Sequence, residues 1–138
     1  MHDIAALTRR WFDEVWTQNR AATIDELLDP AVVIHGLADD GRPTTGPEPF
    51  KRFHAALRSA LSDIRATVDD VLVDGDRSAA RVTVLATHAG DGFGVPPTGR
   101  RITVTGIVIT RWRGGRIVEG WNQYDSAGMM RQVTAPAG

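Results

Sequence analysis

The chain has 138 residues, 16 Lys and Arg against 17 Asp and Glu, and a formal net charge of −1. That length suits one domain with its own core, and the near-neutral balance removes the electrostatic case for nucleic acid or an anionic membrane. The absence of cysteine excludes disulfides, thiolate zinc sites and a cysteine nucleophile.

The N-terminus lacks the basic start and apolar run of a signal peptide. No apolar stretch approaches the roughly 20 residues that span a bilayer, so a cytoplasmic location is expected. Ile4, Leu7, Trp11, Phe12, Val15 and Trp16 recur at helical spacing and predict an amphipathic first helix. Its wide aromatic stripe suits core packing or a pocket wall. Thr23-Ile-Asp-Glu26 reads as a capping box for a second, short helix, which Pro30 stops at about Leu28. Ala31 to His35 is a short strand. Asp39 to Pro47 is loop by its Gly, Pro and Asp content. A third helix opens near Pro47, with Phe50, Phe53, Leu57 and Leu61 on one face and His54 expected on its surface.

From Ile64 the pattern has period two. A phase slip at Asp69-Asp70 predicts a bulge, and Asp74-Gly75-Asp76 a hairpin turn. Ala80, Val82, Val84, Ala86 and His88 share one face of the next strand. Gly90 to Gly99 is an extended loop. Arg101 to Asp125 forms a long hairpin about Gly114-Gly115, where a tight reversal needs positive φ. Along its second arm Asn122 and Tyr124 share one face, while Glu119, Trp121 and Gln123 share the other. Met129 to Val133 has no clear assignment. Residues 1–138 form a single domain, with a tail from about Thr134 expected to be disordered. Segregated helices and strands indicate an α+β fold.

Several stretches resemble the SnoaL-like polyketide cyclases of the nuclear-transport-factor-2-like (ketosteroid-isomerase-like) superfamily. They are Thr87-His88-Ala89-Gly90 with Gly94-Val-Pro-Pro-Thr-Gly-Arg-Arg101, the hairpin Asp63 to Asp76, and a C-terminal block. The block comprises Arg111 to Gly115, Glu119-Gly-Trp-Asn122, Asp125 and Met130-Arg-Gln132. The resemblance covers nearly the whole chain. It implies a cone-shaped barrel of a curved, mostly antiparallel sheet wrapped around helices on its concave face. It also implies intramolecular aldol closure of an aromatic polyketide ester, without metal or cofactor. In that chemistry an Asp on the last strand serves as general acid and base, with a His on the neighbouring strand. Aligned on Met130-Arg131-Gln132, the Asp position falls on Asn122 and the His position on Val108. An amide has no useful proton to exchange, though it can donate a hydrogen bond to an enolate oxygen.

The candidate site residues follow. Asn122 is the first-choice catalytic or ligand-binding position, with Val108 and Tyr124 on the same inner face. His35, which ends the first strand and could reach the cavity mouth, is the best remaining base. Asp125 is the nearest carboxylate, with a turn or cap role as its alternative. By alignment Val15 and Phe53 line the substrate; with Trp16, Leu57, Val84 and Val108 they would make a largely apolar wall. His88 belongs to the family motif and either meets substrate or braces the loop. The four His show no metal-ligand spacing.

The expected ligand is a small hydrophobic, polyketide-type metabolite. The leading reading is a cyclase, lyase or isomerase with Asn122 in place of the catalytic Asp. The alternatives are an epoxide hydrolase or hydroxylase on the same fold, or a non-catalytic small-molecule binder. Outward-facing Ile107, Ile109 and Trp121 predict a homodimer.

Overall fold

The computed structural model describes residues 2–38 and 40–136. Met1, Asp39, Ala137 and Gly138 lie outside the described residues, and with them the start of the predicted loop and the end of the predicted tail. The fold is α+β. Helix α1 (Ile4–Trp11) runs on into a π-helical turn (Phe12–Thr17), followed by α2 (Ala21–Leu27), strand β1 (Leu28–His35), the short β2 (Thr44–Thr45) and α3 (Pro47–Ala60). Strands β3 (Leu61–Asp74), β4 (Arg77–His88), β5 (Arg101–Arg113) and β6 (Arg116–Tyr124) follow, and α4 (Ser126–Thr134) closes the chain.

The six strands form one open sheet in the order β2-β1-β6-β5-β4-β3. Every pairing is antiparallel except β1 with β6. The period-two stretches fold as read. Ser78, Ala80, Val82, Ala86 and His88 are buried along β4, and the register of β3 on β4 shifts between Val68 and Asp70. Gly114 and Gly115 have φ of 60° and 79°, which turns the β5–β6 hairpin tightly without a Cβ clash.

The concave face is filled by two apolar clusters. Trp11, Phe12 and Val15 join Phe50, Ile34, Val82 and Trp112 in one; Leu61, Ile64, Ile102, Val104, Met129 and Val133 form the other.

Four local expectations change. The capping box does not form: Arg20 is the N-cap of α2 and makes no side-chain cap. Instead the Thr23 hydroxyl donates to Glu14 Oε1 at 2.7 Å, and Glu26 pairs with Arg10 and Arg20. The ion pairs between α2 and the end of the first helix outcompete the local cap. Strand β1 begins three residues earlier than predicted, directly where α2 ends, because Leu28 is buried against the core. His54 is buried, not on the surface: its Nε2 lies 2.9 Å from the Val15 carbonyl. Met129 to Val133 is helical, and α4 reaches Thr134, into the predicted tail.

Candidate functional site

Between the π-helical turn, α3 and the sheet lies a cavity of about 100 Å³. The helical side contributes Phe12, Trp16, Phe53 and Leu57, and α4 contributes Met129. The sheet contributes Ile64, Val82, Val84, Val104, Val108, Asn122 and Tyr124 among others. These strand residues converge because alternate side chains of one strand share a face and the register aligns the faces. Val108 lies directly opposite Asn122, and Gly106 opposite Tyr124. A side chain at Gly106 would meet the Tyr124 Cβ at 3.0 Å, so glycine leaves the room that Tyr124 occupies. Trp16 and Phe53 meet edge-on at 6.1 Å, as do Phe53 and Tyr124 at 5.8 Å, a favourable geometry for aromatic pairs.

No acidic or basic side chain is among the lining residues. The polar side chains that strand phase turns inward there are those of Asn122 and Tyr124. The Asn122 amide donates from Nδ2 to the His35 carbonyl at 3.3 Å.

Of the residues singled out from sequence, Trp16, Phe53, Leu57, Val84, Val108, Asn122 and Tyr124 come together around this cavity. Four do not. His35 falls on the outer face of the sheet: its Nε2 is 2.8 Å from Glu119 Oε2, and its ring stacks on Trp121 at 5.3 Å. The phase decides this, since Val32 and Ile34 are buried inward and residue 35 must then point outward. Asp125 is the N-cap of α4, its Oδ1 accepting from the Gly128 amide at 2.8 Å. Val15 is buried in the core beside the cavity and is not part of its lining. His88 is fully buried and braces the loop: its Nδ1 takes the Thr98 amide at 3.2 Å and its ring stacks on Phe93.

Sequence reasoning missed Phe12, Ile64, Val82, Val104 and Met129. The helical stripe includes Phe12 and the strand alternation includes Ile64 and Val82, but nothing separates core from cavity wall in a periodic pattern. Met129 depends on α4, whose only strong signal is the cap at Asp125.

Glu119 also accepts from Arg111 Nη2 at 3.4 Å. Its hydrogen bond from His35 holds its carboxyl below the ordinary glutamate range, with Arg111 adding to the effect. The His35–Glu119 pair is on the far side of the sheet from the cavity. Among the described residues no group of three or more His, Cys, Asp or Glu is arranged to hold a metal, and no helix is long and apolar enough to cross a membrane.

A comparison with protein families matches residues 6–133 to the SnoaL-like polyketide cyclases. The chain belongs to this family. Nogalonic acid methyl ester cyclase of Streptomyces nogalater is 27% identical over 113 residues, 80% of this chain and 79% of that protein. The crystal structure of IdmH from Streptomyces antibioticus, a proposed polyketide cyclase, superposes with a TM-score of 0.85 at 31% identity, covering 95% of this chain and 98% of that one. AclR of Streptomyces galilaeus, a proposed hydroxylase, has a TM-score of 0.82 at 23% identity, covering 97% of this chain and 86% of that one, a likeness of fold alone. As a SnoaL-like chain, this protein keeps the family's open cone but carries an amide, Asn122, on its inner floor.

Proposed function

We propose that this SnoaL-like protein closes a ring on a polyketide-type substrate, with neutral hydrogen-bonding groups where an acid–base pair is expected. The observation that carries the reading is Asn122 on the cavity floor, opposite Val108 and near Tyr124, in a largely apolar lining. In an aldol closure a carbon flanked by carbonyls loses a proton, the enolate carbon attacks a second carbonyl, and the new alkoxide takes a proton. The cavity walls would fold the chain so that the reacting carbons meet, which alone contributes substantially to rate. An Asn122 N–H can stabilise enolate oxygen in a low-dielectric site. The carbon-bound proton passes to water or to the substrate itself, since no carboxylate, imidazole or amine lines the cavity to take it.

The test is an assay on a nogalonic-acid-type methyl ester in deuterated buffer. Closure leaves the mass unchanged, so product is read by chromatographic retention and absorbance, and deuterium at the acidic carbon reports enolisation. Product above the no-enzyme control supports the reading; neither closure nor exchange removes it.

The lining's lack of any acid or base favours a second reading, a carrier that binds such a metabolite without turnover. Native mass spectrometry of the purified protein would then show a bound planar compound that leaves unchanged. The hydroxylase or epoxide hydrolase alternative has less support, because His35 and Asp125 are engaged elsewhere.

The outer face of the sheet supports a homodimer as part of this proposal. Leu85, Ile107 and Ile109 are exposed there, Ile107 to 53%, beside Trp121. Ile107→Lys is expected to give a monomer by sedimentation; a monomeric wild type would remove the idea.

A further inference from the structure

The last carbonyls of a helix have no partner within it. At the end of the π-helical turn that supplies Trp16 to the cavity wall, α3 supplies the partners. His54 Nε2 lies 2.9 Å from the Val15 carbonyl, and Arg58 Nη2 donates to the Trp16 carbonyl. The His54 ring also packs on the Trp16 ring at 4.8 Å, and Phe50 and Phe53 meet it edge-on at 6.0 and 6.1 Å. His54 is only 7% exposed.

We infer that His54 and Arg58 are positioning residues that clamp Trp16 in the cavity wall and so set the affinity for the ligand. The inference rests on the reading that the cavity takes an apolar metabolite. Its chemistry follows from one crowded nitrogen. Arg58 Nε is 3.3 Å from the same His54 Nε2 that lies closer to Val15. A carbonyl at 2.9 Å needs a donor, so Nε2 carries the proton in neutral His54, and the Arg58 guanidinium is left to hold Trp16. Burial, with the Arg58 charge adding to it, pushes His54 below the ordinary imidazole range. Among the described residues Arg58 is the charged group acting on it; the rings of Trp16 and Phe50 pack around it. A second proton would place two cations side by side and drive Arg58 from the Trp16 carbonyl. Below the folded-state pKa of His54 the clamp therefore loosens.

The test uses a neutral apolar fluorophore, N-phenyl-1-naphthylamine, together with amide hydrogen exchange of residues 12–20 corrected for intrinsic rates. Wild type is expected to bind the probe more weakly at an acid pH below the folded-state pKa of His54 than at neutral pH, by up to about tenfold for each unit of difference in imidazole pKa between free and bound protein. Exchange in the segment should quicken in parallel. His54→Gln keeps a donor for Val15 but cannot titrate, so both readouts should lose their pH dependence. The same pH dependence in His54→Gln as in wild type overturns the inference, and so does a wild-type segment indifferent to pH. If the probe binds at neither pH, the cavity reading fails, while the exchange measurement still decides the clamp. If His54→Gln does not fold, Arg58→Met replaces it. Exchange at neutral pH as fast as acid wild type supports the clamp, and exchange as slow as neutral wild type overturns it.

Discussion

Asn122 Nδ2 donates to the backbone carbonyl of His35 at 3.3 Å, yet the two side chains work on opposite faces of the sheet. Asn122 lines the cavity, while the His35 ring lies on Trp121 outside. A carboxylate at 122 would face that carbonyl oxygen and an apolar lining. Asn122→Asp is therefore expected to lose about 1–3 kcal/mol at neutral pH. Burial would raise its folded pKa above the unfolded value. The loss is then largest above the folded pKa and shrinks as pH falls toward the unfolded one. Urea denaturation of variant and wild type at two pH values reads this directly. With Val108→His added, the pair restores an acid–base arrangement across one register position. If the cavity is shaped for aldol closure, turnover of an anthraquinone-type ester should rise about 100-fold or more; no gain would argue that it is not.

Glu119 gives a pH dependence of the other sign. Its folded pKa is depressed, first by the hydrogen bond from His35. The stabilisation is present above the unfolded glutamate pKa and is lost as pH falls through the folded one. The group is a quarter exposed, so solvent screening limits the effect to below about 1 kcal/mol. Glu119→Gln should lower the melting temperature slightly at neutral pH, and the gap should close below about pH 4. Binding in the cavity should not change, since Glu119 is on the outer face.

Gln132 finishes the edge of a strand. Its Oε1 accepts from the Thr103 amide at 2.9 Å and its Nε2 donates to the Thr103 carbonyl at 2.7 Å. Strand β6 pairs with β5 only from Gly106 onward, so the side chain substitutes for a missing neighbour. This gives the Met-Arg-Gln ending a physical role. Gln132→Ala should cost about 1 kcal/mol, the net worth of such bonds in a partly solvated place, and should speed amide exchange at Thr103.

What was legible in the sequence is what local chemistry decides. Gly114-Gly115 suits a tight reversal because glycine takes positive φ at no steric cost, and the alternation of Ala80, Val82 and Ala86 allows one buried face. What was hidden depends on partners distant in the chain. Thr23 and Glu26 have the spacing of a cap, but Glu14 and Arg10 engage them from another helix. His54 is polar and its position in the helix suits the surface, but the π-helical turn ends against it and its Nε2 meets the Val15 carbonyl. The chemistry of His35 suits a cavity mouth, but buried Val32 and Ile34 fix its phase outward. Asn122, Val108 and Tyr124 were readable as one inner face because strand phase and family resemblance agreed. The identity of the remaining wall residues required knowing where the core leaves space.

That distinction between core and cavity can be measured at two positions on one line across the sheet. Ala80 on β4 is paired in register with Val108 on β5, and both side chains point inward. Ala80 is fully buried with no place in the cavity lining, whereas Val108 is part of it. Added carbon at Ala80 has nowhere to go, so Ala80→Leu should cost about 1–3 kcal/mol by overpacking. Val108→Phe places its ring in the open space and should cost under about 1 kcal/mol, since newly buried apolar surface offsets local adjustment. The same ring should abolish binding of an apolar probe. Denaturation curves and probe titrations of the two variants form the measurement. A stable Val108→Phe protein that no longer binds identifies the space as the ligand site. One that binds normally places the ligand elsewhere, and one as destabilised as Ala80→Leu means that the space is closed by packing in solution.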